Sequence, residues 1–137
     1  MTTVAFVCSG NAGRSQMATA FAERERERRG LDVELLTGGT DPADRIHREV
    51  IDVMDEKGID VRDREPRAIT PSDVESATHV VTMGCSIEGV RPADWEGETE
   101  TWEVAHPSGD AIDATRAQRD EIERRVSDLF DRIETGG

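Results

Sequence analysis

The sequence predicts an α/β fold, a parallel sheet with helices on both faces, on three observations. Short apolar runs of strand length recur along the chain, led by Thr3 to Val7. Stretches with apolar residues at helical spacing separate them, and glycines or helix-starting residues stand at the junctions. Strands that alternate with helices lie side by side and parallel, with the helices covering both faces. Ligands of such sheets bind beyond the carboxyl ends of the strands.

Thr3 to Val7 is almost continuously apolar, as a central parallel strand buried on both faces must be. A helix is predicted over about Ser15 to Arg29, with Met17, Ala18 and Phe21 toward the core and Gly30 as its C-cap. Its second half, Glu23 to Arg29, alternates acids with arginines and reads as a solvated face. Asp32 to Thr37 is the second strand, after which Gly38-Gly39-Thr40 leaves the sheet near the loop that follows the first strand. Asp41-Pro42-Ala43-Asp44 makes a turn. His47 to Lys57 is the second helix, with Val50, Ile51 and Met54 on one face and Gly58 at its end.

Thr70-Pro71-Ser72-Asp73 starts a short helix that ends near Ala77, with Thr as N-cap, Pro at the first helical position and an acid two residues on. His79 to Met83 is the third strand and delivers Cys85 at its carboxyl end. Thr99 to Val104 is the fourth. Asp113 to Ile133 is the terminal helix, with Ile122, Val126, Leu129, Phe130 and Ile133 as its buried stripe. With no repeat, linker or low-complexity tract, residues 1–137 read as a single domain, long enough for one core.

Composition narrows the function. Thirty acidic residues against 17 basic ones give a formal charge of −13, which argues against a nucleic-acid footprint or an anionic membrane surface. Lys57 is the only lysine, a balance like that of proteins from salt-loving organisms. No apolar run approaches the ~20 residues of a membrane span, and the first strand begins too early for a signal peptide. A cytoplasmic protein is expected. The only cysteines, Cys8 and Cys85, then suggest catalysis or redox chemistry in place of a staple. Three scattered histidines and two distant cysteines match no zinc spacing, so no metal is expected, and no nucleotide fingerprint appears. His47 and His79 read as structural or surface residues, and Trp95 and Trp102 as packing around the loop after the third strand.

The stretch with the most chemistry is Cys8-Ser9-Gly10-Asn11-Ala12-Gly13-Arg14-Ser15, between the first strand and the first helix. A thiol opens the loop and a guanidinium closes it. Backbone N–H groups of such a loop, the positive end of the helix and the planar fork of Arg14 together can wrap a tetrahedral oxyanion. The same field favours a thiolate at Cys8, a nucleophile aimed at the bound anion. Gly10 and Gly13 permit close backbone approach, and the Ser15 hydroxyl can donate to the thiolate. A cysteine at the end of a buried strand also reads simply as a small apolar residue.

Cys8-x5-Arg14-Ser15 after an N-terminal strand resembles the low-molecular-weight protein tyrosine phosphatase family. Gly10-Asn11, Arg14-Ser15-Gln16-Met17-Ala18 and Thr82-Met83-Gly84-Cys85 resemble its arsenate reductase branch. The resemblance covers nearly the whole chain. It implies a three-layer α/β/α fold around a four-stranded parallel sheet. It implies Cys8 as nucleophile, an oxyanion held by residues Ser9, Gly10, Asn11, Ala12, Gly13 and Arg14, Ser15 as thiolate stabiliser, and Asn11 keeping the loop in shape.

Two departures from the family pattern matter. The branch has a further cysteine a few residues after Thr-Met-Gly-Cys, where this chain has Gly89, so the thiol relay is incomplete. Cys85 reads either as a resolving thiol that closes a disulfide with Cys8 or as a small core residue. In Trp102-Glu103-Val104-Ala105-His106-Pro107, His106 stands where the family has an acidic Asp before Pro. His106 can donate a proton as an imidazolium, or it is only a loop residue, with Asp110 in its place or no acid at all.

The expected function is therefore thiol-coupled reduction of arsenate to arsenite. No cofactor is bound; thioredoxin, a glutaredoxin-like protein or a small thiol serves as external reductant. The alternatives are a phosphatase acting on phosphotyrosine through a phosphocysteine, and a non-catalytic oxyanion-binding regulatory protein.

Overall fold

The structure, a computed structural model, describes residues 2–104 and 112–135. In chain order its elements are β1 (Thr2–Cys8), α1 (Arg14–Arg29), β2 (Val33–Gly39), α2 (Arg48–Asp55), α3 (Pro71–Ser76), β3 (His79–Met83), β4 (Glu98–Thr101) and α4 (Ile112–Thr135). The strands form one sheet in the order β2-β1-β3-β4, and every neighbouring pair is parallel. The α/β class and the four-stranded parallel sheet are as the sequence predicts.

β1 is central, and its side chains divide the core in two. Val4, Phe6 and Cys8 face Met17 and Phe21 of α1, Val50 and Met54 of α2, and Ile122, Leu129 and Phe130 of α4. Ala5 and Val7 face the other way, onto Ile69, Val74 of α3, Val80, Ile87 and Trp95. A strand covered on both faces has no place for polar alternation, which is why 4–7 is an unbroken apolar run. Cys8 lies level with Gly39 of β2 and Met83 of β3, so three strands end together at one edge of the sheet.

β1 extends one residue further at each end than predicted, and two other strands differ by more. β2 continues through Gly38 and Gly39 because residues 67–69 run beside it, with Gly39 bridged to Ala68. A Cβ on Gly38 would lie 2.9 Å from Ile69 Cα, and one on Gly39 would lie 2.5 Å from the Ser9 carbonyl oxygen. The two glycines are what let β2 end pressed against both segments. β4 stops at Thr101, short of the predicted Val104. Trp102 N–H still donates to the Thr82 carbonyl at 2.9 Å, but Val104 N–H turns back to the Trp102 carbonyl at 3.0 Å and ends the pairing.

Helix ends follow their sequence signals. Gly30 caps α1 in the left-handed conformation, with φ 61°. Thr70 and Asp73 form a reciprocal capping box at the start of α3. α2 is shorter than predicted, since Lys57 and Gly58 N–H groups reach back only three residues, to Met54 and Asp55.

The reading of 23–29 as a solvated face holds for Glu27 and Arg28 but fails for the rest, which is partly or fully buried. Glu25 is only 7% exposed, and its carboxylate pairs with Arg29 at 3.0 Å and Arg28 at 3.4 Å. Arg24 reaches Glu123 of α4 at 2.6 Å, and Arg29 reaches Asp131 at 2.9 Å and Glu134 at 2.7 Å. The guanidiniums of Arg24 and Arg29 lie over the Phe21 and Phe130 rings. Long arginine stems cover apolar surface while their heads pair across the helix interface, so charge in the sequence concealed a packed face.

Candidate active site

The loop of residues 9–13 joins the carboxyl end of β1 to the amino end of α1. Its carbonyls are turned outward and tied off. Those of Cys8, Ser9, Gly10 and Ala12 accept from the N–H groups of Thr40 (3.2 Å), Asp41 (2.8 Å), Ala43 (2.9 Å) and His47 (3.0 Å). Among the described residues, no acceptor meets the N–H groups of Gly10, Ala12, Gly13 and Arg14. Gly13 is the N-cap of α1 and supplies no capping side chain. A ring of open N–H groups at a helix N-terminus is suited to a tetrahedral anion.

Cys8 sits at the floor of this ring and is buried. Its Sγ lies 2.9 Å from Ser15 Oγ and accepts from the Asn11 N–H at 3.2 Å. Asn11, fully buried, takes the left-handed conformation with φ 51°, which Asn tolerates better than most residues. Its Nδ2 donates to Ser15 Oγ at 2.7 Å and to Thr37 Oγ1 at 2.9 Å. Its Oδ1 accepts from Gln16 Nε2 at 3.1 Å and from the Arg67 N–H at 2.9 Å.

Arg14 closes the loop and is 7% exposed. Its Nη1 donates to the Val104 carbonyl at 2.9 Å, and its guanidinium lies against Gly84. Cys85 is half-buried, with Sγ 3.6 Å from the Val7 carbonyl. Burial pushes its thiol up, and the charge of Cys8 adds to this; a backbone hydrogen bond at Met83 and the Arg14 charge act against both. Both cysteines are free. Cys8 packs with the Phe6 side of β1 and Cys85 with the Val7 side, so the two thiols flank the end of β1 from opposite faces.

Residues 8–15 and Cys85 thus meet at one edge of the sheet. His106, with the alternative acid Asp110, lies outside the described residues. His47 is exposed beside the loop, and His79 pairs with Glu98 at 3.0 Å. Trp95 packs as expected and donates its indole N–H to the Ala77 carbonyl at 2.8 Å, whereas Trp102 packs on the opposite face against Phe6. Among the described residues, no cluster of His, Cys, Asp or Glu could hold a metal ion, and no helix is long and apolar enough to cross a membrane.

Four contributors went unnoticed in the sequence: Gln16, Thr37, Gly84 and the Arg67 backbone. The position of Thr37 follows once β2 is paired with β1, since it lies opposite Phe6. Gly84 lies within Thr82-Met83-Gly84-Cys85, and nothing local signals its contact with Arg14. The Arg67 contact spans 56 residues and leaves no local signal.

The family model for low molecular weight phosphotyrosine protein phosphatases matches residues 3–136. A Halobacterium salinarum protein named "Putative arsenate reductase" is 50% identical over 135 residues, 95% of this chain and 92% of that protein. The glutaredoxin arsenate reductase of Synechocystis is 29% identical over 136 residues, 97% of this chain and 99% of that protein. The solved structure of a thioredoxin-dependent arsenate reductase from Corynebacterium glutamicum superposes with a TM-score of 0.80 at 30% identity. That match covers all of this chain but only 64% of the other, which is the longer protein.

Proposed function

Because the chain belongs to the low molecular weight phosphotyrosine protein phosphatase family, we propose that it is an arsenate reductase working through Cys8. The observation that carries this reading is the buried Cys8 Sγ, 2.9 Å from a serine hydroxyl, at the floor of a loop whose Ser9, Gly10 and Ala12 carbonyls are tied to the 41–47 segment. The relatives with arsenate reductase names support the substrate.

In the proposed sequence, arsenate enters the ring of N–H groups and is clamped by the Arg14 guanidinium. Ser15 donates to the Cys8 thiolate. The sulfur attacks arsenic, an S–As bond forms, and an arsenate oxygen leaves as water after protonation from His106 or from solvent. A second thiol then attacks the Cys8 sulfur. The S–S bond forms, the S–As pair goes to arsenic, and arsenite departs with arsenic reduced by two electrons. Cys85 is the internal candidate for that thiol. A redoxin or small thiol is the external one, and it also reduces the resulting disulfide. The printed names of the relatives support glutaredoxin or thioredoxin as the reductant class.

The chain acts as one domain over residues 1–137 and works in the cytoplasm, where thiol reductants are available. The acidic, lysine-poor surface and the Halobacterium relative support adaptation to high salt.

A phosphatase reading also has an observation in its favour. Cys85 lies on the far face of β1 from Cys8, and hydrolysis of a phosphocysteine needs water and no second thiol. Side-by-side turnover of arsenate with thiols and of an aryl phosphate, at low and high salt, separates the two. Arsenite production should dominate; aryl phosphate cleavage without arsenite would overturn the reductase reading.

A further inference from the structure

We propose that Gln16 is a positioning residue that, together with the Arg67 backbone N–H, sets the direction of the hydrogen-bond chain ending on Cys8. The proposal rests on Cys8 being the nucleophile. The chain can be followed atom by atom. The Arg67 backbone N–H can only donate, and it meets Asn11 Oδ1 at 2.9 Å. Gln16 Nε2 donates to the same oxygen at 3.1 Å and to the Glu65 carbonyl at 3.4 Å, so its amide is oriented by two acceptors. With Oδ1 held by two donors, Asn11 must present Nδ2 to the other side.

On that side stand Ser15 Oγ at 2.7 Å and Thr37 Oγ1 at 2.9 Å, and both must accept. Thr37 sends its own proton to the Phe6 carbonyl at 3.3 Å. Ser15 has one proton left, and Cys8 Sγ at 2.9 Å is the acceptor in reach. The direction set by Gln16 and the Arg67 N–H therefore arrives at Cys8 as a donated hydroxyl, which favours the thiolate form. Gln16 makes no hydrogen bond to Cys8 and reaches the loop through the Asn11 side chain. It is 1% exposed, at the third position of α1, which suits an interior role in holding the amide.

Gln16→Glu reverses one end of the chain. A carboxylate at position 16 cannot donate to Asn11 Oδ1 and draws the Asn11 Nδ2 toward itself, and this charge-assisted contact outweighs the neutral Arg67 N–H bond that Oδ1 gives up when the amide turns. Ser15 then donates to Asn11 and leaves Cys8. The readout is the pH profile of Cys8 alkylation by iodoacetamide in a Cys85→Ser background, where Cys8 alone reports. Q16E should raise the midpoint by about one pH unit, the worth of one charge-assisted hydrogen bond.

The new negative charge could act through space without any reversal. Repeating the comparison with Ser15→Ala removes the relay and keeps the charge. In that background Q16E should leave the midpoint where S15A alone puts it. An equal rise with and without Ser15, or no rise in either, overturns the proposal. Gln16→Met, which removes the donor without adding charge and leaves the Arg67 N–H as the one restraint on the Asn11 amide, carries the same test if Q16E does not fold; its rise should be smaller, about half a unit, again dependent on Ser15. A wild-type Cys8 that alkylates across pH like a free cysteine would instead overturn the functional reading, and the proposal with it.

Discussion

The Arg14 guanidinium occupies the space that a side chain on Gly84 would need. A Cβ on Gly84 would lie 2.6 Å from Nη1 and 2.8 Å from Nη2, and Gly84 itself has φ 74°. The residue that follows β3 and the residue that opens α1 are thereby fitted to each other. The arginine fork is held between Gly84 and the Val104 carbonyl, close to the cradle it would serve.

Gly84→Ala should consequently act as an Arg14 mutation made at a distance. The left-handed backbone alone costs about 1–2 kcal/mol for a residue with a Cβ, and the guanidinium must also move. Phosphate affinity, measured by calorimetric titration, should fall about tenfold or more, with the melting temperature lowered modestly. Unchanged affinity would show that Arg14 does not need its present position.

Glu56 ties the end of α2 to α4. Hydrogen bonds from Arg116 and then Arg119 hold its carboxyl down at about 2, well below the ordinary 4.5. A depressed carboxylate contributes stability that is complete above its unfolded value and is lost as pH falls through the folded one. Glu56→Gln should lower the urea midpoint at pH 7, and the gap to wild type should narrow as pH drops below about 4.5 toward 2. The group is exposed, so the effect should be small and weaker in salt. A gap that stays constant across that range would contradict the assignment.

Salt should stabilise the whole molecule. The formal charge of −13 is spread over acids that outnumber their basic partners. Exposed ion pairs such as Arg132–Glu100 contribute little each, so their screening matters less than relief of the net repulsion. At 1 M salt the screening length is about 3 Å. The melting temperature should rise substantially in molar KCl, and a melt independent of salt would remove the case for adaptation to high salt.

Cys85 separates internal from external resolution. If it attacks the Cys8 adduct, Cys85→Ser should stop multiple turnover when a redoxin is the only reductant, while a small thiol restores it. Because burial raises the Cys85 thiol, internal resolution should accelerate as pH rises into the alkaline range. Undiminished turnover of C85S with a redoxin alone would make Cys85 a core residue only.

The fold was legible in the sequence where one residue type sufficed. The apolar run of 4–7 gave the central strand, Gly30 the helix end, and Thr70-Pro71 with Asp73 the capping box. The loop from Cys8 to Arg14 was legible because its chemistry is local. What stayed hidden depends on distant approach. Glu25 looked solvated because the α4 face that holds its partners Arg24 and Arg29 is distant in sequence. Gln16 and Thr37 looked like ordinary polar residues until Asn11 was seen between them.

The most direct test of the central claim is arsenite formation from arsenate by wild type and Cys8→Ser, with thioredoxin, glutaredoxin with glutathione, or a small thiol as reductant. Wild type should turn over with at least one of the three, and C8S should form no arsenite above background while retaining oxyanion binding. Arsenite formation by C8S at the wild-type rate, or none by wild type with any of the three, would contradict it.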